Sequence, residues 1–181
     1  MIWLARHGET AANAEGRVQG TLDMPLNERG LLQARALAGE AADLGLEALY
    51  SSQLDRARTT ARIVGERLGL EPVVDRRFAE SNRGAWEGRL LREIEAEDPG
   101  AWEAWRRSDP AFRFPGGESL AEHVERVAAA LDEVEGGPLP ALVVSHGGTV
   151  RAALVARGRP IEEFQRIAVP NAALMALEQV A

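Results

Sequence analysis

The chain of 181 residues contains no cysteine and no lysine, since all 21 of its basic residues are arginines. Without cysteine it can form no disulfide, zinc finger or iron–sulfur cluster, and it supplies no thiolate nucleophile. Without lysine it has neither a Walker-type phosphate lysine nor a Schiff base, which excludes pyridoxal-phosphate chemistry. Its three histidines, His7, His123 and His146, are too few for a metal cage unless carboxylates complete it.

Charge and composition narrow the class of protein further. With 28 acidic residues the net charge is −7, which argues against nucleic acid or an anionic membrane as the main partner. An apolar content of 45% and the chain length suit one globular domain over residues 1–181. Met1–Ala5 is apolar but is followed by Arg6 and Glu9, unlike a signal peptide, and Gly136–Val150, the longest uncharged run, is too short to span a bilayer. We therefore expect a cytoplasmic protein.

Apolar runs that suit buried strands alternate with helical patterns along the whole chain. Strands are predicted at Ile2–Ala5, Leu46–Ser51, Val73–Phe78, Pro140–Ser145 and Ala172–Leu177. Helices are predicted from Asn27 to about Asp43, at Leu54–Leu68, from Ser119 to about Glu135, and at Thr149–Ala156. This alternation predicts an α/β fold, a three-layer α/β/α sandwich around a mostly parallel sheet. Residues 79–117 are less regular and predict an insertion or lid over one end of the sheet.

Two of the predicted strands end in a histidine followed by glycine. His7-Gly8 follows the first strand, and His146-Gly147-Gly148 follows the strand at Pro140–Ser145. Ligands of open α/β sheets lie beyond the carboxyl ends of strands, so two central parallel strands would bring both histidines into one crevice. Each His-Gly pair taken alone is also typical of a plain strand-to-loop turn.

Arginines at the same predicted edge indicate an anionic ligand. Arg6 adjoins His7, and Arg56 lies at the start of the helix that follows the second strand. A guanidinium group binds phosphate bidentately, and a helix N-terminus adds oriented N–H groups. Two arginines and two histidines would form a local anion site within an acidic protein, which favours a phosphate group.

Several segments resemble the motifs of one known family, in order along nearly the whole chain. They are Arg6-His7-Gly8-Glu9-Thr10 with Asn13 and Gly20, Leu26-Asn27 with Gly30, Ser51–Ala61, Glu80 with Gly84 and Trp86-Glu87-Gly88, Pro115–Ser119, and Ser145-His146-Gly147-Gly148. The family that they resemble is the histidine phosphatase superfamily, also called the phosphoglycerate mutase-like family. Each motif is weak alone, but the ordered set is specific. The resemblance implies a phosphoglycerate mutase-like fold.

The resemblance also implies roles for individual residues. His7 would be the nucleophile and become a phosphohistidine, while Arg6, Arg56 and His146 would bind the phosphoryl oxygens. Glu80 would protonate the leaving oxygen and later accept a proton from water, and the first of these steps requires a raised pKa. Further contacts to the substrate or its phosphate are expected from Asn13, Gly20, Gly147 and Arg83.

Such a site predicts a metal-independent phosphomonoesterase that acts on a small phosphorylated metabolite without a cofactor, because fixed arginines can offset the charge of the transferred phosphoryl group. Two alternatives stay open. One is a phosphoglycerate mutase that uses the same residues and 2,3-bisphosphoglycerate, and the other is a catalytically inactive phospho-ligand binding protein. Only 37 residues separate Glu80 from Glu118, fewer than in mutases of the family, and no catalytic residue is lost, which favours the phosphatase.

The remaining candidates have both a structural and a functional interpretation. They are His123, Asn171, the tryptophans Trp86, Trp102 and Trp105, and the arginines Arg83, Arg106 and Arg113. His123 lies within a predicted helix, which favours a packing or surface position. The oligomeric state is open as well, with a homodimer as one alternative.

Overall fold

The computed structural model describes residues 1–178, which form a five-stranded sheet with helices on both faces. The strands are β1 (Ile2–Arg6), β2 (Ala48–Ser51), β3 (Val73–Val74), β4 (Ala141–Ser145) and β5 (Leu174–Leu177). Their order across the sheet is β3-β2-β4-β1-β5, and every neighbouring pair is parallel except β1 with β5. The predicted α/β fold with a mostly parallel sheet is confirmed.

The strands are connected by α-helices and short 3₁₀ turns. The α-helices are α1 (Ala11–Glu15), α2 (Glu28–Ala41), α3 (Asp55–Leu68), α4 (Leu91–Glu97), α5 (Pro99–Arg106), α6 (Leu120–Glu135) and α7 (Gly147–Ala156). Asn27 caps α2 by accepting a hydrogen bond from the Gly30 N–H (2.8 Å), and Ser119 with Glu122 forms the expected capping box of α6. Among residues 1–178, no helix combines the length and apolar character that crossing a bilayer requires.

Each face of the sheet packs against its own pair of helices. Leu37 of α2 and Val64 of α3 contact one face, in a cluster that includes Leu142 of β4. Leu131 of α6 belongs to the cluster on the opposite face, together with Val143 of β4 and residues of α7. Successive strand residues point to opposite faces, which is why neighbours in β4 serve different cores. The result is the three-layer arrangement expected from the alternating pattern.

The third strand is shorter than predicted. It was expected to run to Phe78 but ends at Val74, because the Asp75 carboxylate accepts the backbone N–H of Arg77 (2.8 Å) and starts a 3₁₀ turn at Arg76–Phe78. The side chain of Asp75 thus offers the backbone a local partner in place of a neighbouring strand.

The segment 79–117 is more helical than predicted. It contains α4 and α5, and Asp98 caps α5 by accepting the N–H of Ala101 (2.9 Å). Pro99 occupies the first helical position, where a missing N–H costs nothing, so this residue begins a helix instead of breaking one. Trp86 of this segment is buried against Trp102, Trp105, Phe112 and Phe114, with ring centroids 5.2–6.4 Å apart. We call these five rings the Trp86 cluster.

Gly30 permits a close approach between α2 and the loop that follows β1. A Cβ atom on Gly30 would collide with the backbone carbonyl oxygen of Glu9. We expect Gly30→Ala to lower the free energy of unfolding by about 1–3 kcal/mol, because backbone atoms must shift to admit the methyl group.

Gly39→Ala is the matched control in the same helix. A Cβ there meets no atom within 4 Å, so the better helix propensity of alanine should raise stability by up to about 1 kcal/mol. Urea unfolding of both variants measures the difference, and effects of the same sign would contradict this account.

Candidate active site

The parallel pairing of β1 with β4 brings the two predicted histidines together. Arg6 pairs with Ser145 at the ends of these strands, and the His7 N–H extends the pairing by donating to the Ser145 carbonyl (2.9 Å). The rings of His7 and His146 follow directly, with centroids 5.2 Å apart and planes inclined by 61°. The crevice expected at the carboxyl edge of the sheet is therefore present.

A cavity of about 380 Å³ opens at this edge. Eight of the nine predicted site residues line it, namely Arg6, His7, Asn13, Gly20, Arg56, Glu80, Arg83 and Gly147. The ninth, His146, is fully buried beside His7. Six arginines line the cavity, and Glu80 is the one acidic residue among the described lining residues. The cavity is thus strongly cationic within a chain whose net charge is −7.

His7 is held as a neutral ring with one free nitrogen. Its Nδ1 lies 2.6 Å from the Gly8 carbonyl oxygen, and since a carbonyl only accepts, Nδ1 carries the proton and Nε2 keeps its lone pair. Burial, with the positive charges of Arg56 and Arg6, lowers the pKa of His7 to about 3. The ring is therefore uncharged at neutral pH, as a nucleophile must be.

Backbone carbonyls hold the two arginines nearest to His7. Arg6 Nη1 donates to the Val169 carbonyl (2.7 Å), and Arg56 donates from Nη1 to Leu22 and from Nη2 to Gly20 (both 2.7 Å). These neutral acceptors orient the guanidinium groups without cancelling their charge. Burial lowers the pKa of Arg56 to about 10, so that residue stays protonated at neutral pH.

Unpartnered polar atoms are concentrated at this site. Among residues 1–178, the buried side-chain polar atoms that lack a hydrogen-bond partner are Arg6 Nε, Arg56 Nε, Ser145 Oγ and His146 Nδ1. Each buried polar group left unpaired costs about 1–3 kcal/mol, so native structures rarely tolerate them without a ligand or water. The Nε–H groups of Arg6 and Arg56 are donors that suit the oxygens of a phosphoryl group. In the same described range, no group of three His, Asp or Glu side chains is arranged to hold a metal ion.

Glu80 faces His7 from the loop that follows the Arg76–Phe78 turn. Its Oε1 accepts the Ser81 N–H (2.9 Å) and its Oε2 accepts the Gly148 N–H (3.0 Å). A Cβ on Gly148 would collide with this carboxylate, so a larger residue there would displace the Glu80 side chain from its present position. Arg83 Nη2 lies 3.7 Å from Glu80 Oε2.

The charge state of Glu80 differs from the expectation. Burial alone would raise the pKa of Glu80, but the positive charge of Arg83 and the hydrogen bond from Ser81 outweigh it, so the pKa is lowered. Glu80 is therefore ionised in this structure, whereas the expected acid role requires a protonated carboxyl group. The sequence could not reveal this because it does not show that Arg83 contacts Glu80.

His123 and Thr149 support Glu80 from behind, a relation that the sequence analysis missed. His123 is buried, and its Nε2 lies 3.2 Å from Thr149 Oγ1, which donates to the Ala79 carbonyl (2.8 Å). Thr149 follows Gly148, and Ala79 precedes Glu80, so this chain of hydrogen bonds joins the two backbone segments that hold the carboxylate. The helical spacing between His123 and Val127, both buried, is the available signal that His123 faces inward.

The structure also places the residues whose roles were open. Asn171 supports the site by donating from Nδ2 to the His7 carbonyl and to Asn13 Oδ1 (both 3.1 Å). Arg106 lines the cavity, whereas Arg113 is exposed and pairs with Glu122 away from it. Arg151, which the sequence analysis did not single out, also lines the cavity. Its place one helical turn after Gly147 is a signal that could have found it.

The site is thus an arginine-lined cavity with a neutral, buried histidine at the carboxyl edge of a parallel sheet, an arrangement that suits phosphoryl transfer. A family model described as histidine phosphatase superfamily (branch 1) matches residues 2–180. The chain belongs to this family, which confirms the resemblance of its motifs.

Named relatives include phosphatases and a mutase. A protein of Yersinia pestis (strain Pestoides F) named "Probable phosphoglycerate mutase GpmB" is 37% identical over 183 residues, covering 96% of this chain and 82% of the relative. The structure of a mycobacterial glucosyl-3-phosphoglycerate phosphatase with VO3 is 34% identical, with a TM-score of 0.88 and coverage of 96% of this chain and 88% of that one. An alpha-ribazole phosphatase from Shigella flexneri is 32% identical, with a TM-score of 0.81 and coverage of 96% and 87%.

All three histidines should stay neutral in the folded protein well below their ordinary pKa. Burial lowers the pKa of His7 to about 3, that of His123 to about 4, and that of His146 well below its usual value. A ¹⁵N NMR titration should therefore show no histidine gaining a proton between about pH 8 and pH 5. The chain unfolded in urea is the control, because its histidines should titrate near about pH 6.5. Since unfolding takes up protons below that pH, stability should fall as the pH falls; a folded-state midpoint near 6.5 would contradict the assignment.

Proposed function

We propose that the protein is a metal-independent phosphomonoesterase that hydrolyses small phosphorylated metabolites through a phosphohistidine at His7. The observation that carries the proposal is the set of unpartnered buried atoms on Arg6, Arg56, Ser145 and His146 beside the free Nε2 of His7. A phosphoryl group between them would accept hydrogen bonds from the arginines while its phosphorus faces the nucleophile. Fixed cations then offset the charge on the equatorial oxygens, the task that metal ions perform in other phosphoryl-transfer enzymes.

The first step transfers the phosphoryl group to the enzyme. The Nε2 lone pair forms a bond to phosphorus as the P–O ester bond breaks, and the leaving oxygen takes a proton from Glu80. A bound phosphate dianion adds negative charge to the cavity, which raises the pKa of Glu80. Substrate binding thereby supplies the protonated acid that the reaction needs.

The second step returns the phosphoryl group to water. Glu80, now ionised, accepts a proton from a water molecule whose oxygen attacks phosphorus as the N–P bond breaks. Inorganic phosphate leaves, and His7 regains its lone pair. The Gly148 N–H and the Ser81 N–H keep the Glu80 carboxylate in place through both steps.

His7 should carry the phosphoryl group during turnover, even after treatment with EDTA. Brief incubation with a ³²P-labelled phosphomonoester should give an acid-labile, base-stable label on the peptide that contains His7. The His7→Ala variant should lose the label and turnover together, because no other described nucleophile of this chain occupies the position. Full turnover in that variant would contradict the proposal, and so would a dialysed protein that turns over only with added divalent metal.

A phosphoglycerate mutase is the second candidate, favoured by the name of the relative from Yersinia pestis. Both activities share the first step and differ in what accepts the phosphoryl group. The isolated phosphoenzyme separates them: we expect it to release inorganic phosphate faster than it transfers the group to 3-phosphoglycerate. Faster transfer would reverse the ranking. The names of the neighbouring phosphatases support phosphoglycerate derivatives and α-ribazole phosphate as first substrates to test.

Glu80→Gln should slow alkyl phosphates much more than p-nitrophenyl phosphate. An alkoxide cannot leave without a proton, whereas nitrophenolate leaves readily, so the loss for the alkyl ester should be about 10²–10⁴-fold. The variant should also lose the basic limb of the kcat profile, because wild-type activity falls as Glu80 ionises in the complex. Glu66→Gln, which changes an exposed carboxylate of α3, is the matched control and should behave as wild type. Equal losses for both esters would remove Glu80 from the acid role.

A further inference from the structure

The cavity has more positive charge than one phosphoryl group requires. Arg6 and Arg56 are the arginines nearest to His7, and these two cations suffice to bind one phosphoryl group. Arg17, Arg83, Arg106 and Arg151 line the rest of the wall. Arg17 is paired with Glu15 (2.7 Å) and Arg106 with Glu103 (3.2 Å), whereas Arg83 and Arg151 face, within the described lining residues, only the carboxylate of Glu80. This surplus indicates that a second anionic group occupies the cavity together with the phosphoryl group.

Arg83 is positioned both by the backbone around it and by aromatic rings. The backbone on either side of it is fixed, since the Asn82 carbonyl accepts from the Glu118 N–H (2.8 Å) and the Ala85 N–H donates to Pro115 (2.9 Å). Its guanidinium lies over the Trp105 and Phe114 rings of the Trp86 cluster, 5.8 and 5.5 Å from their centroids.

The terminal nitrogens of Arg83 are available to a ligand. Nε lies 3.4 Å from Ser81 Oγ, and within residues 1–178 Nη1 and Nη2 have no hydrogen-bond partner. The distance of 3.7 Å from Nη2 to Glu80 Oε2 is an ion-pair contact too long for a hydrogen bond. Arg83 therefore acts on Glu80 through charge while keeping its donors for another acceptor.

Several other charged or titratable groups face Glu80 from the elements packed around it. They are Arg6 at the end of β1 and His7 directly after it, Arg56 on α3, His123 on α6, and His146 and Arg151 at α7. The histidines are neutral at neutral pH, and a phosphoryl group would offset Arg6 and Arg56. Arg83 is left as the cation closest to the carboxylate once the phosphoryl site is filled.

We propose that Arg83 makes turnover depend on a second anionic group in the substrate, a carboxylate or phosphate on the leaving alcohol. An anion bound by Arg83 offsets the positive charge that this residue places beside Glu80. Glu80 then holds the proton that it transfers to the leaving oxygen as the P–O bond breaks. This inference rests on the proposed function and assigns to Arg83 the choice between substrates.

Two esters that differ at one carbon test the proposal. D-3-Phosphoglycerate and sn-glycerol 3-phosphate have the same ester linkage, but the first ends in a carboxylate and the second in a hydroxymethyl group. In the wild-type protein, kcat/KM should be about tenfold or more higher for D-3-phosphoglycerate than for sn-glycerol 3-phosphate. The basic limb of the kcat–pH profile should also lie about one pH unit higher for D-3-phosphoglycerate. Equal kcat/KM values with coinciding limbs would overturn the inference.

Arg83→Gln should remove both differences. Without the charge, the basic limbs of the two esters should coincide and the ratio of their kcat/KM values should approach one. Arg83→Lys retains a positive charge and should restore much of the separation. Arg113→Gln, an exposed arginine of the same segment that pairs with Glu122, is the matched control and should keep the wild-type ratio.

The outcomes separate this inference from the proposed function. If both esters label His7 but Arg83→Gln keeps the wild-type ratio and limb separation, the role of Arg83 is wrong and the phosphatase stands. If Arg83 were merely structural, Arg83→Gln would lower the turnover of both esters by the same factor and leave the basic limbs of their pH profiles separated. That result would count against the inference as well. Absence of label on His7 from either ester would instead overturn the proposed function on which it rests.

Discussion

The in-register parallel pairing of β1 with β4 is the constraint on which the site depends. It places His7 and His146 side by side at the ends of neighbouring strands. The register is fixed by the apolar residues of both strands, which alternate between the two cores. A slip of one residue would turn Leu4 and Val143 to the wrong faces and would separate the histidines. The packing that stabilises the sheet therefore also sets the distance between the two histidines of the candidate site.

The second organising feature is positive charge held without compensation. In most buried sites an arginine is paired with a carboxylate, but here Arg6 and Arg56 are oriented by neutral backbone carbonyls. This arrangement keeps their charge available to an incoming anion while burial keeps it poorly screened by water. It also explains how an acidic chain without lysine can contain a strongly cationic cavity: the sign of the local field is set by a few fixed groups, not by the net charge.

The sequence predicted those features that depend on local chemistry or on strand order. Caps such as Asn27 and Ser119, and the histidines that follow two strands, are visible in short segments because their determinants are neighbours in the chain. Features set by contacts between distant segments were not predictable in this way. The approach of Arg83 to Glu80, which reverses the expected protonation of the carboxylate, depends on the fold of the loop around Gly84 and Pro115.

Local side-chain chemistry also accounts for the errors in secondary structure. Asp75 ends β3 because its carboxylate is close enough to bond the backbone of Arg77, a choice that hydrophobic periodicity does not register. Pro99 lies in the segment that was expected to be irregular, although a proline preceded by Asp98 is a typical helix start. Both cases show that a polar residue beside a turn carries as much information as the apolar pattern around it.

The Trp86 cluster has a consequence for spectroscopy. Trp86, Trp102 and Trp105 lie with ring centroids 5.0–6.4 Å apart, close enough for their electronic transitions to couple. Trp105 lines the cavity and lies beneath Arg83, so an anion that engages this guanidinium alters the electric field on a coupled indole. Three of the four tryptophans of the chain belong to this cluster, and Trp105 connects it to the cavity wall. Binding of an anion at Arg83 should therefore change the intrinsic fluorescence and the near-UV circular dichroism of the protein.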